Sequence, residues 1–322
     1  MLYTRYYNLE LEKELIPEIS KFDVFFMGNS SEMRAKKVPS LLKNNFTGKV
    51  VVINYDIECE KYSINTNANL DNLYIKENLK ETGKDLLQEF IDDLDSIGIN
   101  NKNILIDITS IKHPILFYFL KLLKQDYKPN TLLLTYTEPE IYKQEVENIT
   151  KKFDLTEKFC STKPLPGFLR INDHNKEHLL VALMGFEGNR FSKAFEDINP
   201  ATRKTYAIVG FPSFQPGWQY YVYSENQYSL EQSKAFSFLN RITANEPFGV
   251  YNTLESISKN NKDFTINIAP IGTKPHSLGA CMYAIDNEDV QFYYDFPTFG
   301  SKKRTIGMGK TFLYNLTEYI KN

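Results

Sequence analysis

Short apolar runs alternate with amphipathic stretches along most of the chain. Apolar runs without polar alternation are typical of strands buried on both faces of a parallel sheet. We predict such strands at 22–27, 50–55, 104–108, 132–136, 179–183, 207–210 and 264–269. Apolar residues at helical spacing predict helices at 77–96, 114–123, 190–198 and 277–284, a short helix before residue 22 and a helical region at about 229–259. This alternation predicts an α/β fold with mostly parallel sheets.

Four segments of the first half resemble four segments of the second half in the same order. Residues 23–34 match 180–190, and both contain a strand, Met-Gly, an acidic residue and an arginine. The other pairs are 50–55 with 207–212, 104–119 with 264–285, and 132–139 with 290–297, at offsets of 157 to 162 residues. We therefore predict two tandem Rossmann-like units, 1–150 and 151–322, in a pseudo-two-fold arrangement. The alternative is the self-similarity that any α/β chain shows.

Polar and charged residues follow the predicted strands directly. Ligands of open parallel sheets bind at the carboxyl ends of the strands, and helix N-termini there favour anions. Two arginines and two lysines at such an edge suit an anionic ligand. The candidate binding residues are Ser31, Arg34, Thr109, Ser110 and Lys112 in the first half, and Arg190, Trp218, Gly272, Thr273, Lys274 and His276 in the second.

The charged candidates have a second interpretation. Arg34 and Arg190 pair in this interpretation with Glu32, Glu187 or other acids and only brace the loops. His113 and His276 each lie beside a proline at a predicted helix start, as polar residues with satisfied hydrogen bonds or as acid/base groups. Catalytic candidates are accordingly His113, His276, Glu32 and Glu187, with no assigned reaction.

An aromatic segment follows the strand at 207–210. Residues 211–229 read FPSFQPGWQYYVYSENQYS and include Trp218, the single tryptophan of the chain. We expect a loop, either as a flap that buries its rings on the core or as a wall that stacks on a base or sugar ring.

Composition excludes several classes of protein. The net charge of −2 gives no bulk attraction to nucleic acid, and no apolar run approaches the length of a bilayer span. Cys59, Cys160 and Cys281 form no Cys-x-x-Cys pair, so we predict neither disulfides nor zinc but a reducing cytoplasm. The N-terminal sequence does not have the pattern of a secretory signal.

No familiar cofactor or hydrolase motif is present. The four histidines lack metal-ligand spacing, and neither Gly-x-Ser-x-Gly nor Gly-x-Gly-x-x-Gly occurs. Gly307-Met308-Gly309-Lys310-Thr311 resembles the end of a phosphate-binding P-loop, but Arg304 stands where that motif requires glycine. We expect no metal and no cofactor.

Residues 106–112, Ile-Asp-Ile-Thr-Ser-Ile-Lys, resemble the strand-loop signature of CRISPR-associated Rossmann-fold (CARF) ligand-sensing domains, and Gly272-Thr273-Lys274 resembles its last part. The resemblance implies binding of a cyclic oligonucleotide across a two-fold interface, which two units in one chain could imitate. It also implies an antiviral defence role with partner proteins of such a system.

The leading prediction is thus binding or sensing of a small anionic, nucleotide-like ligand at the strand ends between the units. The alternatives are an enzyme acting on a nucleotide or sugar phosphate in the same cleft, and a protein-interaction subunit whose repeats are architectural. Self-association of the chain stays open.

Overall fold

The computed structural model describes residues 6–57, 61–66, 68, 70, 86–142, 156–159, 165–170, 175–299 and 305–321. The fold is mixed α/β with mostly parallel sheets, which confirms the predicted class. The chain divides into two compact units: unit 1 comprises residues 1–142 and 303–322, and unit 2 comprises residues 143–302.

The strands are β1 (Tyr6–Asn8), β2 (Val24–Gly28), β3 (Lys49–Asp56), β4 (Lys61–Asn65), β5 (Asn103–Asp107), β6 (Thr131–Thr137), β7 (Ile141–Tyr142), β8 (Thr156–Phe159), β9 (Glu177–Leu183), β10 (Thr205–Gly210), β11 (Leu239–Ile242), β12 (Phe264–Pro270), β13 (Val290–Phe292), β14 (Pro297–Phe299), β15 (Thr305–Ile306) and β16 (Thr311–Asn315). The α-helices are α1 (Leu15–Ile19), α2 (Lys37–Leu42), α3 (Leu86–Ile97), α4 (His113–Gln125), α5 (Gly188–Ile198), α6 (Trp218–Gln232), α7 (Pro247–Lys259), α8 (Lys274–Asp286) and α9 (Thr317–Lys321). Short 3-10 helices cover Met33–Lys36 and Ala235–Phe238.

The main sheet of unit 1 has the strand order β1-β16-β6-β5-β2-β3-β4. Its inner strands β6, β5, β2 and β3 are parallel, while β4 pairs antiparallel with β3 and β16 pairs antiparallel with β6 and β1. The chain moves from β2 to β3 on one side and later enters β5 on the other. The carboxyl ends of β2 and β5 therefore form the topological switch point of this sheet.

Helices cover both faces of that sheet. Ile19 of α1 and Leu42 of α2 belong to one core cluster with Phe25 and Leu133 of the strands. On the other face, the ring of Phe26 meets Phe119 of α4 edge-on at 4.9 Å. Successive strand residues thus serve opposite faces, as expected for a sheet buried on both sides.

The end of the chain belongs to unit 1. β16 pairs along its length with β6, and Leu313 faces Thr135 in the register. This differs from the predicted division, which groups residues 151–322 in one unit. Buried Phe312, Leu313 and Tyr314 fill the edge of β6 and explain why this segment returns to the first sheet.

The main sheet of unit 2 is fully parallel, in the order β11-β10-β9-β12-β13. The chain runs outward from β9 through β10 to β11 and then starts again on the other side with β12. The switch point therefore lies between β9 and β12. Two small antiparallel pairs, β14 with β8 in unit 2 and β15 with β7 in unit 1, complete the described strands.

Two predicted elements differ from the structure. The aromatic segment continues beyond Gly217 as helix α6, because its small and polar residues pack on α5: Ser192 Oγ lies 2.6 Å from Ser229 Oγ, and the backbone at Glu225 touches Gly188. The predicted helical region 229–259 is interrupted by strand β11. Residues 77–85, Cys59, Cys160, His174 and much of the predicted linker lie outside the described residues.

Candidate functional site

The switch point of unit 2 is built on two glycines. Gly185 follows β9 and Gly272 follows β12. A Cβ on Gly185 would lie 2.5 Å from the carbonyl oxygen of Ile271, and one on Gly272 would lie 2.9 Å from that of Met184. No side chain fits at such distances, so the two loops are in backbone contact only because both residues are glycine.

The switch point of unit 1 repeats this contact. A Cβ on Gly28, the last residue of β2, would lie 2.5 Å from the carbonyl carbon of Ser110. The Ser110 hydroxyl also donates a hydrogen bond of 2.9 Å to the carbonyl oxygen of Gly28. The structure thus brings the loop after β5 at Ser110 against the end of β2 at Gly28.

Thr273 and His276 fasten the start of α8 to the end of β11. Thr273 Oγ1 donates to the carbonyl oxygen of Ala244 at 2.7 Å and accepts from His276 N at 3.3 Å. The fully buried His276 ring has Nε2 3.0 Å from the carbonyl oxygen of Thr243. Burial lowers the pKa of His276 to about 4. The ring is therefore neutral near pH 7, donates from Nε2, and is poorly placed for proton transfer to a ligand.

The first turn of α8 presents fewer backbone donors than the sequence suggests. Pro275 has no N–H, His276 N bonds to Thr273 Oγ1, and Ser277 N bonds to the carbonyl oxygen of Thr273. The groups that this loop leaves for an anion are therefore the backbone at Gly272 and the Lys274 side chain rather than a row of helix N–H groups.

Thr109 has a structural role at the end of β5. Its buried hydroxyl donates to Asp107 Oδ1 at 2.5 Å and accepts from Thr137 N at 2.9 Å. Asp107 Oδ1 also accepts from Thr109 N at 3.1 Å. The hydroxyl joins the ends of β5 and β6, and its hydrogen bonds are already used within the protein.

Arg34 has the contacts of a bracing residue. Its Nε donates to Glu32 Oε2 at 2.8 Å, and its Nη1 lies 3.3 Å from the Tyr136 hydroxyl and 3.4 Å from the carbonyl oxygen of Thr137. The side chain therefore connects the segment after β2 to the end of β6.

Arg190 lies in the first turn of α5, after β9, and is paired with acids of unit 2. Its Nε and Nη2 donate to the two carboxylate oxygens of Asp295 at 2.8 and 2.6 Å, and its Nη1 lies 3.5 Å from Glu187 Oε2. Burial alone would lower the pKa of Arg190, but the bonds to Asp295 and the charge of Glu187 outweigh burial and raise it. The sequence analysis did not single out Asp295, because an acid three residues after a strand carries no motif.

The aromatic and lysine candidates each lie near strand ends of their own unit. The Trp218 ring meets Phe186, in the loop after β9, edge-on at 5.9 Å. Lys112 is exposed and precedes α4, whereas Lys274 is partly exposed and opens α8. Exposed Ser31 lies in the loop after β2, and the His113 ring lies 5.3 Å from that of Phe117 on α4.

In the segment that resembles the end of a P-loop, a backbone N–H group is already bonded to the carboxylate of Glu138. Lys310 N donates to Glu138 Oε1 at 3.1 Å, and Gly309 N donates to the carbonyl oxygen of Glu138. Burial raises the pKa of Glu138 above its ordinary value. These N–H groups hold the strand connection of unit 1.

Comparison with known proteins adds no identity. No protein-family model matches the sequence, and no curated protein matches it either. Within the described ranges, no group of three or more His, Cys, Asp or Glu side chains is arranged to hold a metal ion. None of the described helices combines the length and apolarity that crossing a membrane requires.

Proposed function

We propose that the chain binds a small anionic, nucleotide-like ligand at the carboxyl ends of its parallel strands. One observation carries the proposal: at the switch point of each unit, glycine lets two loops meet backbone to backbone, at Gly28 with Ser110 and at Gly185 with Ile271. Such contacts leave no side chain between the loops, and a ligand's phosphate can approach backbone groups there.

The surrounding residues have different roles in the proposed recognition of the ligand. Lys274 and Lys112 supply positive charge near the loops, while Arg34 and Arg190 position the loops through their bound carboxylates. Trp218 and Phe186 offer aromatic surface beside Gly185, which suits stacking of a base.

The proposal includes a common origin for the units. The segments paired by sequence form β2 and β9, β3 and β10, β5 and β12, and β6 and β13. The four strands have the same order in each sheet, β6-β5-β2-β3 in unit 1 and β13-β12-β9-β10 in unit 2. In its most specific form, the proposal is that the two units are Rossmann-like and related by a pseudo-two-fold axis. Together they would sense one ligand in antiviral defence, as CARF domains do.

The first experiment is native mass spectrometry of the protein purified from its own host. We expect a retained nucleotide, released unchanged on denaturation. Titration with that nucleotide then gives the stoichiometry: one ligand per chain supports a shared site, and two support separate sites. Recovery of chemically converted ligand would instead support the enzyme alternative.

Variants test the lysines directly. We expect Lys274→Ala and Lys112→Ala each to weaken nucleotide binding at least tenfold, through loss of a charged contact of about 1.4 kcal/mol or more. Lys259→Ala, which removes an exposed lysine paired with Glu255, is the matched control and should leave affinity unchanged. Wild-type affinity in both test variants would contradict the proposal and favour an interaction subunit.

A further inference from the structure

Unit 1 contains a pocket at the amino ends of β5 and β6, whereas its switch point lies at the carboxyl ends of its parallel strands. Its volume is about 400 Å³, within the range of small-molecule pockets. It lies under α1, beside the amino ends of β5 and β6 and the end of β16, and all of its lining residues belong to unit 1.

Strand register explains the floor of the pocket. Tyr7 pairs with Leu313 between β1 and β16, Leu133 pairs with Asn315 between β6 and β16, and Asn103 pairs with Thr131 between β5 and β6. Paired residues project from the same face of a sheet. All six line the pocket, so its floor is one continuous stripe across four strands.

The roof is incomplete because α1 is short. It has five residues and contains Pro17, so it spans about 8 Å. The four strands beneath it cover about 14 Å from the first to the last. Leu15 and Phe22 remain half-buried at this roof, whereas Ile19 is fully buried.

Unused hydrogen-bonding groups surround the apolar floor. The backbone N–H of Asn103 donates to Asp23 Oδ2 at 2.7 Å, but within the described residues its side-chain amide and the Thr131 hydroxyl make no hydrogen bond. The Asn315 side chain uses only Oδ1, which accepts from Thr317 N at 3.0 Å. Glu18 and Lys21 stand at the mouth with opposite charges and form no ion pair with the described part of the chain. The mouth therefore has no net charge.

We propose that this pocket binds a small, uncharged heteroaromatic molecule. The rings of Tyr7 and Phe22 and the leucine floor match a flat apolar body. The amide and hydroxyl groups along one edge match a molecule with ring nitrogen or carbonyl groups on one side, and the balanced mouth disfavours an ion of either sign. This site is separate from the nucleotide site proposed above.

Saturation-transfer NMR and titration with indole test the site in the full chain. We expect one saturable indole site per chain, at least threefold tighter than for benzoate or benzylamine. Thr131→Phe should weaken indole binding at least tenfold, because the added ring occupies space above the floor. Asn103→Leu, which removes the side-chain amide at similar volume, should weaken it severalfold. Gln125→Phe adds the same ring at an exposed position of α4 outside the pocket and should change nothing.

Trp218→Ala separates this site from the nucleotide site. Indole binding that survives Trp218→Ala but falls in Thr131→Phe and Asn103→Leu supports the proposal, whatever the outcome for nucleotides. Non-saturable indole binding, or equal binding by Asn103→Leu, Thr131→Phe and wild type, would overturn it. So would a binding signal that appears only on dilution of a self-associated protein, since a second copy would then fill the pocket.

Discussion

At the scale of single residues, Arg190 and Arg170 present the same guanidinium edge to different surroundings. Arg190 Nε and Nη2 donate to Asp295, whereas the buried Nε and Nη2 of Arg170 have no hydrogen-bond partner among the described residues. Arg170 retains a cation–π contact, 6.0 Å from the centre of the Phe168 ring. Within the described part of unit 2, one buried guanidinium is thus paired with a carboxylate and another is not.

Methionine at each position should separate these two cases. Arg190→Met leaves Asp295 and Glu187 buried without their partner and should lower the free energy of unfolding by about 3–5 kcal/mol. Arg170→Met removes unsatisfied donors and should leave stability unchanged or raise it by about 1–3 kcal/mol. Urea unfolding followed by circular dichroism measures both; comparable losses in the two variants would contradict this account.

His276 should make stability depend on pH. Its folded-state pKa of about 4 lies below the ordinary 6.5, so the unfolded chain binds the proton first as the pH falls. Its contribution is complete above about pH 6.5 and decreases toward pH 4, by on the order of 3 kcal/mol in total. His276→Gln keeps a donor toward Thr243 and should flatten this part of the profile.

The control for that profile is His178→Gln, at a partly exposed histidine of β9. Urea midpoints of wild type and both variants from pH 4 to 8 provide the comparison. A wild-type slope in His276→Gln, or a flattened one in His178→Gln, would show that another group is responsible.

At the scale of elements, close packing of α7 and α8 depends on one of two helical glycines. A Cβ on Gly279 of α8 would lie 2.0 Å from the carbonyl oxygen of Pro247. A Cβ on Gly249 of α7 would meet only side chains, at 3.0 Å from Ile242 and 3.3 Å from Glu246. The side chains near Gly249 can move aside to admit a methyl group, whereas the backbone of Pro247 near Gly279 cannot move without shifting the helix.

Alanine should therefore have opposite effects at these glycines. Gly279→Ala should destabilise by about 1–3 kcal/mol, because the helices must separate. Gly249→Ala should be neutral or stabilise by up to about 1 kcal/mol, from higher helix propensity. Thermal unfolding of the two variants checks this, and equal effects would indicate that the helices can shift without cost.

The elements also show what the sequence could establish. Apolar runs located β2, β3, β5, β6, β9, β10 and β12 because strands buried on both faces need continuous hydrophobicity. Helix α6 was predicted as a loop, because its exposed face carries Tyr220 and Tyr228. Its buried face mixes the apolar Val222 and Leu230 with the polar Asn226 and Ser229, which does not give a helical apolar pattern.

Side-chain roles were harder to predict than strands. Thr109 and Thr273 were expected to meet a ligand, yet their hydroxyls bond to Asp107 and to the carbonyl oxygen of Ala244. Such partners become visible only when distant strands are assembled. Whether any of the candidate residues binds a ligand stays a prediction.

At the scale of the whole molecule, unit 2 is inserted between β7 and β15 of unit 1. β16 then lies between β1 and β6 in the sheet of unit 1, although unit 2 precedes it in the chain. Unit 1 is consequently discontinuous in sequence, whereas unit 2 is contiguous.

Removal of residues 303–322 should affect the units unequally. We expect the amide hydrogens of β1, and those of β6 that face β16, to lose most of their protection in hydrogen exchange. The reason is that β16 is the neighbour of β1 in this sheet, while β6 keeps only β5. Protection of β9 and β12 should be retained. Similar loss in both units would show that they unfold together.

The position of β16 also has a consequence during synthesis. When residue 142 has left the ribosome, β16, which pairs with β6, lies about 170 residues downstream and has not yet been synthesised. Translation of that stretch takes about 10–30 s, long enough for unit 2 to fold while an unpaired strand edge of unit 1 is open to chaperones or to aggregation. Unit 2 can therefore complete its fold during synthesis before unit 1 does.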